Sequence, residues 1–432
     1  MDPNTLGYLA FVILIGLIFL GVPIAWAITL VAAGGLTYLQ GPGQAAAQFY
    51  TTAFGAGTEF LFASIPLFIF MGQIVNQARI GEDLFDSLHK WFGRLPGGLA
   101  ITAVASCAAF GAVTGVSSAA IGTMGKMVIP EMKRFGYDMR LACGSLATAA
   151  TIAIMIPPSL LMVLYGLWTE TSIGKLFIGG LVPGILTALV FSIYIAIRCT
   201  INPALGPLGQ RYPWSERFRS LVKLAPIGVI FSVVIGGMYS GAFTPGEAAG
   251  VGAGAVVVVG VAMRRLSWPA VVIAIEETAK LSVMIFAILV SASVLSRFLV
   301  STQVTTGVIE WIAASGYNRY VIFALIVLLY LVLGCILDAF GMILLTLPFV
   351  FPIIVNLGFD PVWFGVILTL LTEIALVTPP VGINVYILSR IVPDVPMQEM
   401  FIGALPFVAL ALGIIVLLTM FPAIVLWLPN RM

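Results

Sequence analysis

Charge is what this chain most lacks. Of its 432 residues only 9% are Asp, Glu, Lys or Arg, against roughly a quarter in an average soluble domain. Hydrophobic residues make up 61%, which leaves too little polar surface to cover a water-soluble particle. Histidine is nearly missing. His89 is the only one and lies in a charged segment expected at the surface, so a His-based catalytic triad is excluded. The four cysteines (Cys107, Cys143, Cys199, Cys335) have apolar neighbours and no metal-ligand spacing, and read as small core residues. There is no basic stripe, Gly-rich phosphate loop or zinc pattern, so nucleic acid is not an expected partner. No basic region precedes the first apolar run in MDPNTLGYLA, and Leu6 onward therefore reads as a retained span rather than a cleaved signal.

Long apolar runs are present instead: Leu6–Leu20 with Ile24–Leu39, Leu176–Ala196, Leu224–Tyr239, Ala248–Met263, Val321–Ile336 and Phe401–Leu428. Such runs predict an all-α polytopic protein of the lipid bilayer, with about ten crossing helices. Lys and Arg set the threading. With the N-terminus outside, Phe60–Val75 crosses in after an outer loop over Gln40–Glu59. A re-entrant hairpin over Gly98–Pro130 then keeps its basic flanks cytoplasmic, and a second hairpin, Tyr320–Phe351, enters from outside. This arrangement places 16 of the 20 Lys and Arg residues on the cytoplasmic side.

Two double prolines stand inside apolar spans, in IPPSLLMVLYG and TPPVGINVYIL. Pro130, Gly136, Asp138 and Pro157–Pro158 match Pro352, Gly358, Asp360 and Pro379–Pro380 at one constant offset of 222 residues. The copies enter from opposite sides, which makes an inverted repeat of the kind found in secondary transporters. Each proline removes a backbone donor. The carbonyls it frees cost several kcal/mol each in hydrocarbon unless something satisfies them. A hard cation such as Na⁺ can do so.

The expected cation ligands at the first break are Thr114, Gly115, Val116, Thr148, Thr151 and Pro157. At the second break they are Asp338, Gly341, Thr372, Glu373, Thr378 and Pro379. An organic substrate would meet Ser117, Ser118, Pro158, Ser159, Gly341, Pro380, Gly382 and Asn384. Asp338 and Glu373 also have bland readings, as a helix N-cap and an interhelical hydrogen-bond partner. They are the only acids well inside the spans and lie in no protease motif, which disfavours an intramembrane protease. No enzyme activity is expected.

The repeat divides the chain into frame spans (1–75), a cytoplasmic amphipathic arm (76–97), a first hairpin with broken helix (98–175) and further frame spans (176–296). An outer arm (297–319), a second hairpin with broken helix (320–391) and a C-terminal span (392–432) follow.

GVPIAWA at Gly21–Ala27, GGMYSGAFTPGEAAGVGA at Gly236–Ala253, MIPPSLLMVLYG at Met155–Gly166 and the run from Gly358 to Leu388 carry a resemblance that covers nearly the whole length. The chain resembles the large membrane subunit, the DctM-like family, of tripartite ATP-independent periplasmic (TRAP) transporters. The resemblance implies an inverted-repeat, elevator-type transporter in a bacterial inner membrane. It also implies a small four-helix membrane subunit, a periplasmic binding protein that delivers an organic acid such as a dicarboxylate or sialic acid, and Na⁺ coupling at two sites. The family often has a Ser-Gly-Ser tip; here Thr114, Gly115 and Val116 stand, so carbonyl ligands survive and a hydroxyl at Val116 does not. A stand-alone Na⁺/carboxylate symporter of the same architecture is the alternative.

Overall fold

A computed structural model describes residues 2–432, all in helices and their connections, with no strand among the described residues. Helices follow from the composition, because a chain in lipid must satisfy its backbone within each segment. Proline at a first turn starts Pro3–Phe19, Pro42–Thr58, Pro245–Ala262 and Pro361–Ala375, where its missing N–H costs nothing. Seven helices are long and apolar enough to cross a membrane, or eight if Met139–Met155 and Leu160–Thr169, bent by 44°, make one span. Five shorter apolar helices accompany them: Pro3–Phe19, Ile24–Gln40, Gly98–Thr114, Arg319–Leu333 and Pro361–Ala375. Pro3–Phe19 and Ile24–Gln40 have 17 residues each, about 25 Å at 1.5 Å per residue, just short of a core of roughly 30 Å.

Other expectations change in detail. The outer loop over Gln40–Glu59 is in fact the helix Pro42–Thr58. The last of the frame spans before the outer arm is a 35-residue helix, Trp268–Thr302. The outer arm therefore begins only at Val304, after a left-handed Gln303, and ends at Ser315.

The packing forms two groups. In the first, the frame, Ile24–Gln40 and Ser64–Gln77 lie on Trp268–Thr302, and Pro245–Ala262 lies on Ser64–Gln77. Thr29 and Ser291 share a 2.7 Å hydroxyl contact across it, and Gly35 leaves room for the Phe298 ring. Pro245–Ala262 starts with a capping box of Thr244 and Glu247.

In the second group, the hairpin helix Gly98–Thr114 and the C-terminal helix Met397–Met420 both pack on Met139–Met155. A Cβ on Gly111 would lie 2.1 Å from the Ala153 carbonyl, and one on Gly144 would lie 2.1 Å from the Gly403 backbone. Ile173–Ile201, expected with the frame spans, packs here too, against the first hairpin and both broken helices. A Cβ on its Gly180 would be 2.8 Å from the Met155 carbonyl.

The arm expected on the cytoplasmic side is the helix Ile80–Phe92, bound to the frame at several points. Asp83 pairs with Arg265 at 2.5 Å, and Asp86 with Lys223 at 2.8 Å and Lys90 at 3.1 Å. Burial pushes the Asp86 carboxyl up, but the hydrogen bonds from Lys223 and Lys90 outweigh it and hold it below the usual carboxylate value. Ser87 Oγ donates to the Ser220 carbonyl and Trp91 Nε1 to that of Arg217. His89, expected at the surface, is only 8% exposed and stacks on Phe85 with Tyr212 against its edge. From Phe92 the chain turns through Arg94–Gly97, with Gly97 at φ +69°, into the first hairpin.

Candidate functional site

The first hairpin pairs Gly98–Thr114 with Ser117–Arg134, and the second pairs Arg319–Leu333 with Ala339–Asn356. The second arms begin at Ser117 and Ala339, and the broken helices at Met139 and Pro361, both at the offset of 222 read from the sequence. Asp138 and Asp360 cap the two broken helices, each accepting from backbone N–H groups of the first turn. The breaks fall where the double prolines stand: Ile156–Ser159 between Met139–Met155 and Leu160–Thr169, and Leu376–Gly382 between Pro361–Ala375 and Ile383–Ile391. Both Pro-Pro bonds are cis.

Each hairpin tip seats on the break of its own repeat. At the first, Gly115 has φ +62°, and its Cβ position lies 2.3 Å from the Pro158 carbonyl. Only glycine permits both that backbone and that approach. Leu160 N–H donates to the Gly115 carbonyl at 3.4 Å across the joint. At the second, Gly334 lies against Ala375, and the Cys335 thiol donates to the Pro379 carbonyl at 3.1 Å. Cys335, read as a core filler, is thus a tip residue, while Cys107, Cys143 and Cys199 are buried as expected. The two breaks differ in exposure: Pro157, Pro158 and Ser159 are buried, while Pro379, Pro380 and Val381 are exposed.

A cavity of about 150 Å³ lies where the tips and breaks of both repeats meet. Val116, Ser117 and Ser118 of the first tip line it, with Asp338 of the second, Glu373 before the second break and Asn384 after it. Ser117 Oγ donates to Glu373 Oε1 at 3.2 Å, joining the first tip to the second broken helix. Glu373 and Asn384 are fully buried; Glu373 Oε2 and both Asn384 side-chain polar atoms lack a hydrogen-bond partner among the described residues. The fully buried Thr372 hydroxyl lacks one as well. Each such group costs about 1–3 kcal/mol when left unsatisfied, so the Glu373 and Asn384 atoms in the cavity are open to a hydrogen-bonding or ionic partner.

The remaining expected residues divide. Asp338 acts as an N-cap, accepting from Phe340 and Gly341 N–H at 3.2 and 3.4 Å, and also lines the cavity. Thr114 and Thr378 stand at the tip and the break, their hydroxyl hydrogens committed to helix carbonyls and their lone pairs free to accept. Thr148 and Thr151 bond within their own helix and do not line the cavity. Ser159 caps Leu160–Thr169 through Met162 N–H. Gly382, at φ +52°, ends the second break against the Phe401 ring. The apolar lining from the frame, Ile69 with Leu281, Met284 and Ile285, was not singled out in the sequence, since nothing there marks those residues off from other span residues.

No group of three or more His, Cys, Asp or Glu side chains suited to a metal ion occurs among the described residues. The oxygens at the joints are carbonyls, hydroxyls and single carboxylates, a hard donor set.

Comparison with known proteins agrees with this architecture. The family model described as "Tripartite ATP-independent periplasmic transporter, DctM component" matches residues 11–424. The C4-dicarboxylate TRAP transporter large permease DctM of Pseudomonas aeruginosa is 34% identical over 383 residues, covering 87% of this chain and 88% of that protein. The sialic acid TRAP large permease SiaM of Vibrio cholerae is 30% identical over 96% of each chain. The ectoine/5-hydroxyectoine large permease UehC of Ruegeria pomeroyi is 31% identical over 84% of this chain and 85% of that one. Among solved structures, the Alcanivorax borkumensis YdaH transporter superposes with a TM-score of 0.63 at 15% identity, over 88% and 89% of the two chains, a likeness of fold. With the paired hairpins and broken helices in place, the chain belongs to the DctM family, the large permease component of TRAP transporters, and is a multi-pass membrane transporter rather than an enzyme.

Proposed function

We propose that this permease carries a small organic acid inward, coupled to Na⁺, through the cavity that both repeats share. The observation that carries the reading is the pair of unsatisfied buried groups that line the cavity, Glu373 and Asn384, beside two hairpin tips. One Na⁺ sits between the Thr114–Ser118 tip and Pro157–Pro158, where carbonyls freed by the prolines are its ligands. A second sits between Asp338 and Pro379–Pro380, with Thr378 at hand. The acid lies between them. Asn384 Nδ2, the Ser117 and Ser118 hydroxyls and the helix starts at Ser117 and Ala339 offer donors and positive dipole ends to its carboxylate. No Lys or Arg lines the cavity, so bound Na⁺ supplies the balancing charge.

The hairpin group, with Ile173–Ile201 and Met397–Met420, moves as one body against the frame, in an elevator motion. A small membrane subunit braces the frame in the bacterial inner membrane, and a periplasmic binding protein delivers the acid. The relatives named for C4-dicarboxylates, sialic acid and ectoine set the panel to test. Uptake is measured in proteoliposomes holding both membrane subunits, with the binding protein added. Uptake of one panel member that requires an inward Na⁺ gradient is expected; equal uptake with K⁺ in place of Na⁺ would sink the coupling.

A further inference from the structure

Beside the central cavity lies a second one of about 490 Å³. The two share Ile69, Val116, Ser118 and Leu281, so they adjoin at the face of the hairpin arm Ser117–Arg134 that carries Ser118. The second cavity lies between that arm and the frame, where Thr123 Oγ1 donates to Asn76 Oδ1 at 2.9 Å. Its charged lining is Arg79, Glu82, Lys126 and Glu277. Arg79 faces Glu82 at 3.9 Å, and Glu277 pairs with Lys280 at 2.7 Å. Lys126 is exposed to the cavity and has no acidic group within 4 Å among the described residues. Of the four charged lining residues, Lys126 alone has no ion-pair partner among the described residues. It stands eight residues from Ser118, about 12 Å along one helix.

We propose that this vestibule is the release path of the central site on its basic, cytoplasmic side, and that Lys126 makes the path selective for anions. The inference rests on the reading of the central cavity as the carrier site. An organic acid leaving the hairpin tips is drawn toward Lys126, and the low-dielectric walls of the vestibule focus that field. Cations, including co-released Na⁺, gain nothing from it. Lys126 is a specificity-determining residue that acts at a distance from the bound acid and holds none of it in the central cavity.

The test reads charge selectivity without any substrate. Ser118→Cys is placed on a Cys335→Ser background in inside-out membrane vesicles, and its reaction rates with anionic sulfonatoethyl and cationic trimethylammonioethyl methanethiosulfonate are compared. Lys126→Gln is expected to lower the anionic-to-cationic rate ratio by roughly three- to hundredfold at low salt, the square of the roughly two- to tenfold change for either reagent alone with one unit charge at this distance between dielectrics of water and a protein surface. Lys126→Arg is expected to preserve the ratio, which separates charge from folding. An unchanged ratio in Lys126→Gln, or an introduced thiol that reacts only from the opposite face, would overturn the proposal. Glu373→Gln, assayed for uptake alone, keeps the two readings apart. Loss of uptake there with an unmoved reagent ratio rejects only the path, whereas intact Na⁺-coupled uptake rejects the central site.

Discussion

Asp338 holds two roles in one side chain, and substitution can separate them. Asparagine caps a helix as well as aspartate does, so Asp338→Asn keeps the start of Ala339–Asn356 while removing the charge. The expected result is a folded, membrane-inserted protein that has lost Na⁺-dependent uptake; normal coupling in that variant would return Asp338 to a purely structural role. Glu373 is the sharper case. It is fully buried, accepts from Ser117 and leaves Oε2 unsatisfied. Glu373→Gln retains the shape and exchanges one carboxyl oxygen for an amide donor, a loss of about one hydrogen-bond acceptor worth about 1–1.5 kcal/mol, so transport should fall roughly five- to tenfold at subsaturating Na⁺. Initial uptake rates across a Na⁺ titration check this.

Between elements, close packing of small residues fixes the geometry. Gly144 and Gly403 bring the first broken helix and the C-terminal helix to backbone contact. Gly144→Ala forces a methyl into that joint and should cost about 1–3 kcal/mol or more, read as a lower melting temperature of the purified protein. The arm helix carries a pH dependence. Burial holds the His89 imidazole below the ordinary histidine value of about 6.5. The unfolded chain therefore binds the proton more readily than the folded one, and this contribution to stability is complete above that pH and lost as pH falls below it. Melting temperatures taken from pH 8 to pH 5 should decline at the acid end, and His89→Phe should flatten the decline.

These elements were legible in the sequence to different degrees. The hairpins, the breaks and the Asp338 cap were, because proline chemistry, a tip carboxylate and a repeat at constant spacing leave marks in a single chain. His89 was not, because a charged neighbourhood says nothing about a pocket formed by Phe85 and the distant Tyr212. Thr148 and Thr151, expected beside the first break, donate to carbonyls of their own helix and stand outside the cavity lining, a placement no spacing in the sequence gives. The helix Pro42–Thr58 was hidden by its small and polar residues, which resemble a loop. The union of the first tip with Glu373 spans 256 positions and could be seen only once the chain was folded.

For the whole molecule, the proposed transport has the hairpin group moving as a body against a frame to which the arm Ile80–Phe92 is fastened. Two contacts distinguish that motion from a rigid protein. Asn76 and Thr123 meet across the boundary between frame and body, whereas Lys133 and Asp394 pair within the body. The most direct measurement is uptake by reconstituted transporter carrying a cysteine pair at either place, on a Cys335→Ser background, before and after disulfide formation. The account predicts that the oxidised Asn76→Cys/Thr123→Cys pair stops transport and that reduction restores it, while the oxidised Lys133→Cys/Asp394→Cys pair transports at its reduced rate. Full-rate transport with residues 76 and 123 covalently joined would contradict it.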